Sequence, residues 1–129
     1  MRRLEIPAIV VSITLSACDS QPPGPSFSKD IVPLLKRHCV MCHMAEGAQG
    51  ELSLHPDPYL AMVDVTSSQS DLLLVKPGAV EASYLSHKLR GSHLDVGGEG
   101  ESMPYQRGLM VADEIGLIEQ WIAQGANSN

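Results

Sequence analysis

With 129 residues the chain has room for one domain, and its nine Lys and Arg against fifteen Asp and Glu give a formal net charge of −6. An acidic surface repels phosphate, which excludes a nucleic-acid binder, and it favours a partner that presents a basic face. One Trp, one Phe and three Tyr make a thin core for this length, so the three Cys and five His carry the chemistry to be explained.

Met1-Arg2-Arg3 is a positive start, Ile6 to Leu15 is a mostly apolar run of ten residues, and Leu15-Ser16-Ala17-Cys18 follows. Such a run is about half of the roughly 20 residues that span a bilayer, so residues 1–17 read as a cleaved export signal and not as a transmembrane helix. Leu-Ser-Ala-Cys resembles the lipobox of bacterial lipoproteins, in which the cysteine is acylated and becomes the mature N-terminus. The resemblance implies a lipid anchor on Cys18 at the periplasmic side of a bacterial membrane, where several acyl chains hold stably and one does not. The other reading is ordinary cleavage near Ala17 with Cys18 left as a free thiol. Glu5 and Pro7 depart mildly from the signal pattern, and Asp19 leaves inner against outer membrane open. Removing residues 1–17 takes away Arg2, Arg3 and Glu5, which leaves seven Lys and Arg, fourteen Asp and Glu, and a net charge near −7. Residues 18–26, Cys18 followed by DSQPPGPS, are rich in Pro, Gly and Ser and read as a tether of up to about 3 Å per residue.

The folded domain is expected over 27–129. From Phe27 on, Ile31, Leu34, Leu35 and His38 recur at helical spacing, which predicts a first helix with Ser28 as its candidate cap, Asp30 near its positive end and Pro33 in its first turn, its regular part running from about Val32 to Cys39. Glu46 to Pro58 reads as a loop. Asp57 to Val65 accommodates a short helix with Leu60, Met62 and Val63 turned partly inward. Leu72 to Val75 is a brief apolar run stopped by Pro77-Gly78. Glu81 to Leu89 predicts a further helix, with Tyr84, Leu85, Lys88 and Leu89 at helical spacing and Gly91 ending it. The stretch SHLDVGGEGESMP is a loop. Asp113 and Glu114 open a last helix with an apolar stripe of Ile115, Ile118, Trp121 and Ile122, closed by Gly125. The fold class is therefore all-α, three to five short helices with long loops. Loops of that length are unusual in a compact domain unless a large apolar cofactor fills the centre.

Cys39-Val40-Met41-Cys42-His43 is the motif that carries chemistry. With Cys18 lipidated, Cys39 and Cys42 pair with each other or with something that is not protein. A thioredoxin-like dithiol expects a βαβ frame, which the pattern lacks. A zinc site needs four ligands, drawn from Cys39, Cys42, His43 and either His87 or His93, but a His directly after the second Cys suits a tetrahedron poorly. A disulfide here closes too small a ring to stabilise much. C-x-x-C-H in an exported protein is the signature of covalent haem attachment: two cysteines three apart on one helical face reach the two vinyl groups of one haem edge, and the next residue supplies the proximal imidazole. For the sixth ligand, Met103-Pro104 lies about sixty residues on, in a glycine-rich loop. Pro104 biases Met103 towards extended backbone, and a thioether sulfur is a soft donor that favours iron(II). Met41 and Met44 are too near His43 to cross the ring, Met62 and Met110 sit in core-like patterns, and His87 and His93 are the competing ligands. Arg90 and Arg107 are candidate partners for haem propionates.

With those residues in place, FSKDIVPLLKRHCVMCH, KPGAVEASYLSHKLRG, MP and EIGLIEQWIAQGA are similar to successive blocks of a small monohaem cytochrome c domain of the planctomycete type, over most of Phe27 to Ala126. The resemblance implies a cytochrome c fold wrapped around one covalent haem c, with the first and last helices crossing and Trp121 near the haem or that crossing. Val111 stands where such domains place Ser or Thr before the last helix, so a cap is expected to be missing. The implied function is one-electron transfer by a membrane-tethered monomer, not an enzyme, serving redox protein partners through iron held by His43 and Met103. The alternative is a ligand-binding, sensor or enzyme-associated haem with a displaceable or bis-histidine sixth ligand.

Overall fold

The structure, a computed structural model, describes residues 23–44, 46–106, 108 and 110–129. The expected export signal, Cys18 and its lipid anchor, the first residues of the tether, and Arg107 lie outside the described residues. In chain order the described elements are a wide π-helical turn at Phe27–Ile31 running into α1 (Val32–His38), α2 (Pro58–Met62), α3 (Tyr84–Arg90) and α4 (Ala112–Ala123). Short 3-10 turns stand at Gln49–Glu51, Val80–Ala82 and His93–Val96. No strand forms among the described residues, where isolated bridges join Val63 to Val75, Thr66 to Leu73 and Leu73 to Ser83. The chain is thus mostly helical with long connections, as its pattern predicts. None of the described helices is long and apolar enough to cross a membrane.

The regular part of the first helix starts at Val32, where its spacing and Pro33 place it, but a wide turn precedes it and the cap of that turn is Ser26, not Ser28. Ser26 is extended (ψ 133°), its hydroxyl accepts from Lys29 N–H at 3.4 Å, and its own N–H donates to the Asp30 carboxylate at 2.7 Å. The start is fixed from a distance as well, since Ser28 N–H and Phe27 N–H donate to Asn129 at 2.8 and 2.9 Å. Pro33 has no N–H to give to the turn before it, and the wide turn, closed by Val32 N–H on the Phe27 carbonyl, precedes it directly. In α2, Asp57 caps the first turn by accepting from Tyr59 and Leu60 N–H at 2.9 and 3.2 Å. Leu60 is 71% exposed while Met62 is buried, which corrects the expectation that both face inward. Residues two apart lie on opposite sides of a helix, so one short helix buries one or the other. Gly91 ends α3 in the left-handed region (φ 74°). The stretch expected to be plain loop contains the His93–Val96 turn.

Trp121, Ile118 and Ile122 of α4 are almost wholly buried, and the Trp121 ring lies 5.2 Å from that of Phe27, whose other neighbour is Tyr59, edge-on at 5.2 Å. The indole N–H is satisfied by the Asn127 carbonyl at 2.9 Å. The two ends of the domain therefore share one apolar core, and Trp121 belongs to their contact. The first turn of α4 has no side-chain cap: Val111 takes the capping conformation (φ −66°, ψ 148°) with nothing to offer the free N–H groups, and it is exposed. Val111→Asp is expected to raise stability by about 1 kcal/mol, read as a higher urea midpoint at unchanged m-value.

Glu119 joins α3 to α4, accepting from the Arg90 guanidinium and from the Ser86 hydroxyl. The Arg90 hydrogen bonds hold the Glu119 carboxyl below the usual carboxylate range. A carboxylate with a lowered folded pKa stabilises above its unfolded value, about 4.3, and the contribution is lost as pH falls from there through the folded value. Glu119→Gln should cost on the order of 1 kcal/mol at pH 7. The gap between variant and wild type should close in thermal melts below about pH 4; a gap independent of pH would show that ionisation of Glu119 is not its source.

Candidate functional site

After His38 the regular helix stops, one residue short of the expected boundary, and the cysteine motif occupies the turns that follow. Cys39 N–H donates to Leu35 O at 2.9 Å, Cys42 N–H to Cys39 O at 3.1 Å, and His43 N–H to Cys39 O at 3.2 Å. This curl brings Cys39, Cys42 and His43 to the wall of one cavity of about 630 Å³. Its wall is otherwise mainly apolar, with Leu35, Leu52, Leu54, Leu74, Leu85 and Leu89 from α1, α3 and the loops between. Met103, Pro104 and Tyr105 close it from a segment far along the chain.

Each donor is prepared by its surroundings. The His43 ring is buried and its Nδ1 lies 3.0 Å from the Leu52 carbonyl. A carbonyl only accepts, so Nδ1 carries the hydrogen and Nε2 keeps the lone pair needed to bind a metal. Cys39 and Cys42 are both free thiols. Burial, and then the neighbouring Cys42, pushes the Cys39 thiol up to about 11. A buried thiol that stays protonated at neutral pH is a poor attacking nucleophile, so of the two only the exposed Cys42 is placed for disulfide exchange. Met103 is half-buried and its N–H donates to the Lys88 carbonyl of α3 at 2.9 Å.

The other residues singled out by sequence fall elsewhere. Among the described residues no three His, Cys, Asp or Glu side chains gather as a cation cage, so Cys39, Cys42 and His43 are not joined by the fourth ligand a zinc site needs. His87 binds the Ser92 hydroxyl through Nδ1 at 2.9 Å and the Glu81 carbonyl through Nε2 at 3.1 Å, away from the cavity wall. His93 is buried with Nε2 donating to Gly100 O at 2.8 Å; its Nδ1 finds no hydrogen bond, but the ring does not line the cavity either. Arg90, proposed for a propionate, is engaged by Glu119 and lies off the wall. Trp121 is likewise absent from the wall.

Several wall residues escaped the sequence reading of the site, among them His38, Met62, Lys88 and Glu101. Met62, taken as core, is buried and also lines the cavity, so a second thioether is present beside Met103. Lys88 lines it as well, 7% exposed. Its position one helical turn after the apolar Tyr84 was the available signal, since a lysine on the buried face of a helix has to find partners inside.

No protein-family model matches the chain, and searches of curated proteins and of solved structures return no match.

The donor set suits a haem. Two thiols three residues apart, an imidazole of fixed tautomer and a thioether are the groups that tether and ligate a porphyrin iron. The cavity is far larger than one ion needs and falls within the roughly 300–1,000 Å³ of cofactor pockets.

Proposed function

We propose that this protein is a small monohaem c-type cytochrome that carries one electron at a time, anchored through Cys18 on the periplasmic side of a bacterial membrane. The observation that carries the proposal is the convergence of Cys39, Cys42, His43 and Met103 on one apolar cavity, although Met103 is about sixty residues removed in sequence. The block-by-block resemblance to planctomycete-type cytochrome c domains supports the same reading, as does the helical content, and on it the fold is a cytochrome c fold.

Haem iron held in this cavity supplies a reversible iron(II)/iron(III) couple. The residues define how it is used. Cys39 and Cys42 would hold the group covalently through their sulfurs. His43, its Nδ1–H fixed on Leu52 O, offers Nε2 as the proximal ligand in one orientation. Met103 offers a soft sulfur that favours iron(II) and raises the potential relative to a second histidine. With His43 and Met103 both engaged, the chain would leave no position for substrate, and most of the wall around the group would be apolar. The acidic net charge steers encounter with a basic partner face, an effect that salt weakens.

A second reading, a haem that binds a small ligand or senses it, needs Met103 to give way, and its glycine-rich loop is the feature that favours it. Carbon monoxide added to the reduced protein at neutral pH separates the two. Slow, incomplete binding is expected of the electron carrier; fast and complete binding would replace it with the ligand-binding reading.

A further inference from the structure

We propose that Lys88 is a positioning residue that clamps the segment from Glu99 to Met103 onto α3 and so keeps the Met103 thioether at the cavity. The segment has no regular structure, and Gly98 just before it and Gly100 within it leave it little stiffness of its own. Its order comes from α3 and the turn that follows. The Lys88 ammonium, 5.5 Å from the centre of the Tyr84 ring, donates to the Glu99 carbonyl and to the Glu101 carbonyl, the latter at 2.9 Å. The Lys88 carbonyl in turn accepts Met103 N–H at 2.9 Å. The Tyr84 hydroxyl accepts Glu99 N–H at 3.3 Å, and His93 Nε2–H donates to Gly100 O at 2.8 Å.

The choice of lysine has a physical consequence. A buried ammonium is costly unless its hydrogens are taken up, and here two of the three are taken up by carbonyls of the loop itself. Swinging the loop away therefore breaks both of these hydrogen bonds at once, which an apolar residue of the same size does not make. Lys88 thus biases the loop towards the closed state, in which Met103 stands at the cavity.

The inference rests on the haem reading for the partner of Met103, and the test keeps the two apart. In the oxidised holoprotein, imidazole competes for the sixth position and binds once the loop has opened, so its apparent affinity scales with the open fraction. Lys88→Met should bind imidazole about tenfold more tightly than wild type or better, with Lys88→Arg in between. In a Met103→Ala background, where no loop has to open, Lys88→Met should change nothing. Equal affinity in wild type and Lys88→Met overturns the proposal, and so does an equal gain in the Met103→Ala background, which marks general loosening. If Lys88→Met does not accumulate, Lys88→Gln, which removes the charge and shortens the reach to Glu99 O and Glu101 O, should give a gain of about threefold, and no gain there overturns the clamp. Wild-type protein that carries covalent haem but lacks the thioether-to-iron band would overturn the Met103 assignment and the clamp together, while leaving the haem tether standing.

Discussion

Cys39→Ser combined with Cys42→Ser is expected to yield a protein whose pigment is lost entirely on denaturation, where wild type stays coloured. A thioether is a covalent bond and survives unfolding, whereas the proposed ligation by His43 and Met103 would depend on the fold that holds Leu52, α3 and the Met103 loop in place. Each single variant should retain one bond, keeping the pigment attached through unfolding but with a displaced absorption band from the vinyl group left unreacted. The folded double variant, if it takes up haem, should bind it reversibly through the same imidazole and cavity. A wild-type protein that releases all its pigment in denaturant, or carries none, removes the covalent tether and with it the electron-carrier reading.

Met103→Ala is expected to lower the reduction potential by on the order of 100 mV or more, within the roughly 0.8 V over which axial ligands tune haem, and to abolish the thioether-to-iron absorption of the oxidised form. The direction follows from donor softness: losing the sulfur, whether to water or to a histidine, removes a ligand that stabilises iron(II) over iron(III). The cavity sharpens the control, because Met62 lines it too. Met62→Leu conserves volume in the core, should cost less than about 1.5 kcal/mol, and should leave band and potential in place. The reverse outcome, a band lost with Met62 and kept without Met103, would transfer the distal role to Met62.

Much of the candidate site could be read directly because it is local. Cys39, Cys42 and His43 are close enough along the chain that one turn of backbone puts them on one wall, whatever the rest of the molecule does. The α4 stripe is legible for the same reason, since Ile115, Ile118, Trp121 and Ile122 follow from the period of a helix that the structure confirms as buried on that face. The missing cap at Val111 is equally visible, because capping needs a side-chain oxygen at one position.

The misjudged features depend on distant residues. Ser26 takes the cap in preference to Ser28 where Asn129 ties down the start of the helix, a contact across the whole domain. Leu60 and Met62 compete for burial on a helix of five residues, and only the cavity behind α2 decides for Met62. Lys88 reads as part of an amphipathic stripe until its ammonium is found among carbonyls of a loop eleven and thirteen residues further on.

By itself the sequence determined the helical class of the described domain, the cysteine and histidine motif and the charge of the surface, because each rests on residue types at short, regular spacing. Only the tertiary structure decided which distant side chains share the wall with that motif: Met103 and Met62 on it, His87, His93 and Arg90 off it, and Lys88 beneath the loop that carries Met103. Helix period and local motifs are properties of a few neighbouring dihedral angles, while a cavity is closed by segments whose meeting depends on how the whole chain packs.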